Sequence, residues 1–269
     1  MEYRELAPHP SLAGRVRYWR LTGEGSAPRG TGATGAFEPV LPDGCVEVIV
    51  HLGDPFLRRD AEGQVERQPR ALVAGPGTRP VELAPTGRVD VIGVHIDVGA
   101  APDWLDAHPA ELVDRLPALA DVGGAWARGL AEELSEAGDG AWTRVLDRRL
   151  GAVARAGDAA VERAVARLRE GAVPVGVLAR DLGLSLRQLE RRFRARTGLA
   201  PKTFARLTRF QHALARMNAG APSLADVALR SGYFDQAHLV RDFQRFAGTS
   251  PTRFLRAPHE LARHFASGD

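Results

Sequence analysis

The sequence is poor in cysteine and lacks long apolar runs, and both shortages exclude classes of protein. Cys45 is the single cysteine among 269 residues, so the chain forms no internal disulfide and no zinc site built from several thiolates. No stretch reaches the ~18 to 20 uninterrupted apolar residues that a membrane helix needs, and the first residues carry no apolar leader. We therefore expect a cytoplasmic protein without a membrane partner.

Motifs of several enzyme classes are also missing. The sequence contains no Gly-x-Ser-x-Gly, no phosphate-binding P-loop and no dinucleotide-binding glycine fingerprint. It therefore predicts no catalytic residue, no cofactor and no enzymatic activity. With 44% apolar and 26% charged residues, the chain has enough apolar side chains for a folded core and does not resemble a disordered protein.

Charge is divided unevenly along the chain. Residues 1–150 carry a formal charge of −7 and residues 151–269 carry +10, although the whole chain is only +3. A compact basic module suits a polyanion, because each neutralised phosphate releases condensed counterions. Lys202 is the only lysine among 36 cationic residues, so the arginine excess also reflects a compositional bias, and charge alone does not establish nucleic-acid binding.

The first hundred residues contain short segments typical of β-strands. Residues 16–21, 46–52 and 89–96 are rich in β-branched and aromatic side chains and are separated by turn signals. In the second segment the valines share one face, while alternate residues from Cys45 to His51 share the other. Helical periodicity follows these strands. The pattern predicts an α+β chain that begins with a small β-sandwich or barrel carrying a helical appendage.

An internal repeat occupies residues 175–204 and 224–254. Each copy has a small alanine, a glycine four residues later, a polar capping residue and an amphipathic helix, followed by glycine and proline. Glycine permits the left-handed backbone that ends the first helix, and Ser185 and Asp235 are suited to cap the second. The pattern predicts one helix-turn-helix unit in each copy, preceded by a helix at residues 158–169.

The second helix of each unit places polar side chains opposite its apolar stripe. Arginine, glutamine and glutamate are residue types that read base edges in the major groove. One copy alone is also compatible with a helical hairpin that binds nothing, but two copies in a basic module favour DNA. The polar faces comprise Arg187, Gln188, Glu190, Arg191 and Arg194 in the first copy and Gln236, His238, Arg241 and Arg245 in the second.

The stretch from Leu224 to Pro251, LADVALRSGYFDQAHLVRDFQRFAGTSP, resembles the signature of AraC/XylS-type transcriptional regulators. The first copy resembles the first helix-turn-helix of the same family, and the resemblance covers about residues 157–256. It implies a seven-helix DNA-binding domain that reads double-stranded DNA. It also implies that a long helix, from Pro201 to about Asn218, joins the two recognition helices.

The resemblance points to three base-contacting positions in each copy. They are Arg187, Glu190 and Arg191 in the first copy and Gln236, Ala237 and Arg241 in the second. Ala237 departs from the polar residue often found there and can touch only a thymine methyl. With the polar faces included, we expect further base contacts at Gln188 and His238 and phosphate contacts at Ser185, Arg194, Lys202 and Arg245.

The remaining part of the chain is expected to sense a ligand or to dimerise. Its segments 41–52, 73–76 and 91–95 resemble a cupin-like domain that precedes such readers in many regulators. The expected domains are residues 1–156, β-rich over 1–100 and helical over 101–156, the DNA-binding domain at 157–256, and a tail at 257–269.

Six side chains of the N-terminal part are candidates to line a ligand pocket. They are Trp19, Cys45, Glu47, His51, His95 and Trp104. The two tryptophans are also typical of a core. Glu47, His51 and His95, together with Asp97, could hold a metal at the mouth of a cupin, but His and Glu alternating with valine are more typical of the wet face of a strand, so the sequence favours no metal. Cys45 has no cation beside it in the sequence and is more typical of a small buried hydrophobe than of a redox sensor.

Three functions remain open from the sequence. A ligand-responsive transcription regulator is favoured. A DNA-binding regulator whose N-terminal domain only dimerises or contacts another protein is an alternative, as is a metal-binding cupin-like enzyme with a DNA-binding tail. The sequence identifies no effector, and it leaves open both contact with RNA polymerase and a homodimer.

Overall fold

The computed structural model describes residues 1–25, 37–60, 62–153, 157–171, 173–221 and 223–256. The expected tail at 257–269 lies outside these residues. Within the described part, nine β-strands precede eleven α-helices. Among the same residues, no helix combines the length and apolar character required to cross a membrane. The chain is thus of mixed α+β class, with its strands confined to the N-terminal part, as the sequence predicts.

The strands form two antiparallel sheets. Their bounds are β1 Glu2–Leu6, β2 Val16–Glu24, β3 Glu38–Val40, β4 Val46–His51, β5 Leu57–Arg59, β6 Val65–Arg67, β7 Ala71–Ala74, β8 Val81–Ala84 and β9 Arg88–Ile96. One sheet has the order β1-β2-β9-β4-β7 and the other β3-β8-β5-β6. The three long strands predicted from the sequence are confirmed as β2, β4 and β9, which are neighbours at the centre of the larger sheet.

The two faces of the larger sheet cover different cores, because successive side chains of a strand point to opposite faces. Val46, Val48 and Val50 lie on the face that packs against the helices. On the other face, Trp19 and Val91 pack against apolar residues of the smaller sheet. The expected alternation in β4 is confirmed, so Cys45, Glu47 and His51 share the face turned toward the smaller sheet.

The helices follow in two groups. The first comprises α1 Pro109–Leu112, α2 Leu119–Val122, α3 Leu130–Ala137 and α4 Trp142–Gly151, with 3₁₀ turns at Pro10–Leu12, Ala101–Asp103 and Ala125–Ala127. The second comprises α5 Ala159–Glu170, α6 Val175–Asp181, α7 Leu186–Thr197, α8 Pro201–Asn218, α9 Leu224–Arg230, α10 Gln236–Ala247 and α11 Pro251–Arg256. The second group contains the seven helices implied for residues 157–256.

The turn chemistry of the repeat is confirmed in both helix-turn-helix units. Gly183 and Gly232 have φ angles of 69° and 77°, in the left-handed region that a side chain would strain. Ser185 and Asp235 cap α7 and α10 by accepting hydrogen bonds from backbone N–H groups. Asp158 caps α5 in the same way. In each unit the glycine ends the first helix and the capping residue starts the second, so the turn between the two helices has a defined geometry.

The apolar cores divide the second group of helices between the two helix-turn-helix units. Leu189 and Phe193 of α7 belong to the core that also contains the helix-facing side of the larger sheet. Phe210, Leu239 and Phe243 belong to a separate cluster formed by α8, α9, α10 and α11, with Leu41 as the contribution of the N-terminal part. The first unit is therefore packed into the N-terminal domain, whereas the second has an apolar core of its own.

Candidate nucleic-acid interface and interdomain cleft

The first recognition helix, α7, buries its apolar stripe and exposes its polar face. Leu189 and Phe193 are buried. The exposed residues of the opposite face are Arg187, Gln188, Glu190, Arg191 and Arg194. Ser185 accepts a hydrogen bond from the backbone N–H of Gln188, and the Gln188 side chain accepts one from the backbone N–H of Ser185. Gln188 and Ser185 thus hold the helix start, while the four charged side chains face solvent.

The second recognition helix, α10, has the same division. Gln236, Ala237, Arg241 and Arg245 are exposed. His238 is half-buried, because its ring packs edge-on against Tyr233 with 5.1 Å between centroids. Phe234 is 93% exposed directly before the capping residue, a feature that the sequence analysis did not single out. The polar face of α10 is therefore accessible and has an exposed aromatic ring at its start.

One helix joins the two units. α8 has 18 residues, which corresponds to a length of about 27 Å. Lys202, in its first turn, is exposed. One turn of B-DNA is about 34 Å, so the length of α8 is of the same order as the spacing of two successive major grooves.

The inner side of α7 is fastened to the N-terminal domain by polar contacts. Arg196 donates to the backbone oxygen of Gly99 (2.9 Å) and to Asp103 (2.8 Å). Asp103 is only 3% exposed in its side chain and also pairs with Arg15. A Cβ added at Gly198, at the end of α7, would lie 2.5 Å from the backbone oxygen of Pro109. The first recognition helix is therefore packed tightly against the N-terminal domain, while the polar face of the helix does not contact that domain.

The second unit has its own buried acid. Asp242 on α10 is fully buried and pairs with Arg206 and Arg209 of α8. These groups all belong to the second unit, so this network fastens α10 to α8 and not to the N-terminal domain.

A cleft of about 540 Å³ lies between the N-terminal domain and the helices α5 and α8. From the N-terminal side it is lined by Gly14, Arg15, Val16, Arg17, Asp43, Cys45, His95 and Asp97, and from the helical side by Arg169, Glu170, Thr208, Gln211, His212 and Ala215. Gln211 donates a hydrogen bond to the backbone oxygen of Pro42, which closes one wall. An occupant that fills this cleft contacts both parts of the chain.

A connected polar cluster lies at the bottom of the cleft. His95 Nδ1 lies 2.6 Å from Glu47 Oε1 and 3.8 Å from Asp43 Oδ2. Glu47 and His95 face each other across β4 and β9, so the register of the sheet brings them together. Arg17 approaches His95 Nε2 at 3.1 Å, and because a guanidinium only donates, this nitrogen acts as the acceptor.

Arg169 connects this cluster to the DNA-binding half. Its guanidinium lies 3.0 Å from the Sγ of Cys45 and pairs with Asp97. Arg169 stands in the last turn of α5, so the contact links β4 to the first helix of the DNA-binding half. This corrects the expectation that Cys45 has no cation beside it, because the pairing joins residues that are 124 positions apart.

Burial and neighbouring charges set the protonation of the cluster. Burial raises the pKa of the Cys45 thiol, and Asp43 adds to this effect, while His95 and Arg169 oppose it. Burial lowers the pKa of His95, but the neighbouring sulfur of Cys45 and the carboxylate of Glu47 raise it and prevail. Arg17 opposes a second proton on the ring, because its guanidinium needs the free electron pair at Nε2. The cluster therefore has a buried thiol beside an imidazole that shares a proton with Glu47.

The structure gathers some of the candidate pocket residues and separates the others. Cys45, Glu47 and His95 belong to the cluster, and Trp19 joins them through a hydrogen bond from Nε1 to Glu47 (2.9 Å). His51 lies at the other end of β4 and is 1% exposed, which corrects the expectation of a wet strand face, because Phe56 and Gln68 contact its ring.

Trp104 is also outside the cluster. Its ring is buried in the core and its Nε1 donates to the backbone oxygen of Leu150 (2.9 Å), which is the core role that the sequence favours for this tryptophan.

The sequence analysis missed most of the cleft residues, among them the polar side chains of Arg17, Asp43, Arg169 and Gln211. Their signal in the sequence is weak, because they come from a strand, a loop and two helices that only the fold brings together. The Pro-Asp-Gly turn before β4 was recognised as a turn, and that turn carries Asp43 into the cluster.

Comparison with family models finds two domains in the chain. A model described as a helix-turn-helix domain matches residues 178–257. A model described as a domain of unknown function, DUF6597, matches residues 4–117. The first covers both helix-turn-helix units from α6 onward, and the second covers the two sheets.

Solved structures with similarity to the chain include three examples. ToxT from Vibrio cholerae is 10% identical, with 88% of this chain and 97% of that chain covered and a TM-score of 0.49. A ToxT structure from Vibrio cholerae strain SCE256 with bound unsaturated fatty acid is 12% identical, with 89% and 94% covered and a TM-score of 0.44. The DNA-binding domain of AdpA, a global transcriptional factor, in complex with a target DNA is 30% identical over 35% of this chain and 85% of that chain, with a TM-score of 0.32.

No curated protein matches the chain. The repeat, its turn chemistry and the helix-turn-helix match agree on the same residues. The chain therefore contains an AraC-type helix-turn-helix domain, which is typical of DNA-binding transcriptional regulators, and a DUF6597 domain in its N-terminal part.

Proposed function

We propose that the two polar faces of α7 and α10 read one asymmetric DNA site from a single chain. The proposed base contacts are Arg187, Gln188, Glu190, Arg191, Gln236, Ala237, His238 and Arg241, and the proposed phosphate contacts are Ser185, Arg194, Lys202 and Arg245. The observation that supports this most directly is the exposure of the charged face of each recognition helix while its apolar stripe is buried.

The spacing of the units sets the form of the DNA site. Two readers joined by α8 enter successive major grooves about 34 Å apart, and they do so without a two-fold axis. The recognised site is then a direct repeat or a non-palindromic sequence of roughly twenty base pairs.

The N-terminal domain senses a small molecule in the interdomain cleft and passes the signal to the first unit. The cleft supports this proposal, because its walls come from both parts of the chain and its lining side chains include cations, acids and a thiol. A ligand that binds one arrangement of the two parts better than another shifts the chain toward that arrangement. Asp103 pairs with Arg196 of α7, so a shift of the N-terminal domain would move the first recognition helix directly.

Regulation, and not catalysis, is the role proposed for the N-terminal domain. Its partners are double-stranded DNA and an effector, and a regulator of this type acts in the cytoplasm where the DNA lies. A homodimer and contact with RNA polymerase are compatible with the exposed surface of the second unit and carry no specific support from it.

Recovery of genomic fragments by the purified full-length chain tests the DNA-binding proposal. The bound fragments are expected to share a site of roughly twenty base pairs, and affinity is expected to fall steeply as salt increases. Recovery without a shared sequence, or binding that is insensitive to salt, would contradict it.

A thermal-shift screen of the same protein tests the effector proposal, because a ligand of the folded state raises the unfolding midpoint. The control is the variant Ala215→Trp, which narrows the cleft from the α8 side and should abolish the shift.

A further inference from the structure

We propose that Asp43, Cys45 and His95 form a binding site for a zinc ion at the bottom of the interdomain cleft. One ligand atom from each of these side chains lies within 4.8 Å of the other two. Thiolate, imidazole and carboxylate are the donors that zinc takes in proteins. The site itself follows from these atoms alone, and its proposed effect on DNA rests on the proposed function.

The spacing of the donors fits one tetrahedral ion after small side-chain rotations. With zinc-to-ligand distances of about 2.0 to 2.3 Å, two donors of a tetrahedral site lie roughly 3.3 to 3.8 Å apart. The separation of 3.8 Å between Asp43 Oδ2 and His95 Nδ1 already matches this range. Glu47 Oε1 lies 2.6 Å from the same nitrogen, and this hydrogen bond breaks when the ion takes Nδ1.

The backbone and a turn hydrogen bond hold the three donor residues in place. Glu47 and His95 are partners in the β4–β9 register, and Cys45 precedes Glu47 by two residues on the same face. Asp43 is held by a hydrogen bond from the backbone N–H of Cys45 to its Oδ1 (2.9 Å), which leaves Oδ2 turned toward His95. A site built on strands in this way loses little conformational freedom when the ion binds.

In the metal-free site two guanidinium groups lie beside the proposed ligands and supply positive charge there. Both can move away from these ligands when an ion binds. Arg169 approaches the Cys45 sulfur but is paired with Asp97 as well. Arg17 approaches His95 but lies 3.7 Å from Glu5 as well. Each cation therefore keeps an acidic partner when the ion displaces it. When the zinc–sulfur and zinc–nitrogen bonds form, the thiol proton goes to water, and the ring proton of His95 moves through solvent from Nδ1 to Nε2, which Arg17 vacates as it withdraws.

The donor set also selects the ion. A thiolate and an imidazole favour zinc over calcium and magnesium, which prefer sites made of oxygen alone. The cleft above the cluster gives the ion a path from solvent. Since the displaced Arg169 belongs to α5, occupation of the site removes one of the contacts between β4 and the DNA-binding half.

Cobalt serves as the spectroscopic probe for zinc in the test. Titration of the metal-free full-length chain with Co²⁺ is expected to give one equivalent of tetrahedral binding with a sulfur-to-metal charge-transfer band, which Zn²⁺ then removes by displacement. Cys45→Ser and Cys45→Ala are expected to lose the band, and His95→Gln is expected to weaken binding at least tenfold. Arg169→Met is expected to tighten it, because a competing cation is gone.

The matched control is His212→Gln, which changes a histidine of the same cleft outside the cluster and should leave the titration unchanged. Circular dichroism identifies variants that keep the fold. Absence of the band in the folded wild type, or a band that survives in a folded Cys45 variant, would overturn the zinc site.

A second readout separates the site from its effect. Zinc is expected to change the affinity of the wild type for its selected DNA by at least threefold and to have no effect on Cys45→Ala. Metal binding without a change in DNA affinity would refute the coupling and leave the site standing. Loss of DNA binding by every form of the chain would instead count against the proposed function.

Discussion

The two helix-turn-helix units have the same local design and different surroundings. Both place a left-handed glycine before a capped recognition helix. The first shares its apolar core with the N-terminal domain and is fastened to it through Asp103, whereas the second has its own core and its own buried acid, Asp242. A change in the N-terminal domain should therefore reach α7 first and α10 only weakly.

Replacing Asp103 is expected to give the largest difference in stability between the two units. Asp103→Asn leaves Arg15 and Arg196 without their anion in a largely buried place, so we expect a loss of about 3 kcal/mol in the free energy of unfolding. Hydrogen exchange should show α7 losing protection while α10 keeps it.

Asp242→Asn is the matched variant in the second unit and should reverse this pattern, because Asp242 contacts only α8 and not the N-terminal domain. Equal loss of protection in both helices for either variant would contradict the independence of the units.

Acid should destabilise the N-terminal domain through His51. Burial lowers the pKa of His51 to about 4, from 6.5 for an unperturbed histidine, so the unfolded chain binds a proton first as pH falls. The stability due to the neutral ring is complete above pH 6.5 and is lost between 6.5 and 4. Between pH 7 and pH 5 this loss amounts to about 2 kcal/mol.

Denaturant unfolding at the two pH values measures that loss, and His51→Gln provides the comparison, since its side chain does not titrate. The variant should show a pH dependence smaller by about 2 kcal/mol. Hydrogen exchange of the wild type at pH 5 should show β4, which carries His51, losing protection before α10. An identical pH dependence in the two proteins would show that His51 is not buried in its neutral form.

The two recognition helices should contribute separately to specificity. Arg191→Ala and Arg241→Ala are each expected to cost about 1 to 3 kcal/mol on the selected DNA and to relax base preference in different halves of the site. Binding of competing sequences by fluorescence anisotropy measures both effects. Equal losses on selected and random DNA would remove the base-reading role of these arginines.

The smallest effect is expected at Lys202, in the helix that joins the units. Lys202→Ala should weaken binding to all sequences by a similar factor and reduce the salt dependence by about one phosphate contact. The slope of affinity against salt concentration measures this. A change confined to the selected DNA would show that Lys202 reads sequence.

Local chemistry explains how much of the fold could be predicted from the sequence. The strands β2, β4 and β9 and the capped helices of both units were predicted because alternation, glycine and capping residues act within a few positions. The exposed faces of α7 and α10 followed from helical periodicity.

The interdomain cleft could not be predicted in the same way. Cys45 and Arg169 are 124 positions apart, and no local pattern indicates that β4 and α5 meet. His51 was expected on a wet strand face because the sequence does not show that Phe56 and Gln68 contact its ring. Such contacts depend on how the two parts of the chain pack, and they decide where a ligand can act.

Hydroxyl-radical footprinting on a selected site tests the central claim, that one chain reads two successive major grooves with two helices. We expect two protected segments one helical turn, about 34 Å, apart on the same face of the duplex, with Arg191→Ala weakening one segment and Arg241→Ala the other. Protection of a single groove per chain, or loss of the same segment in both variants, would contradict it.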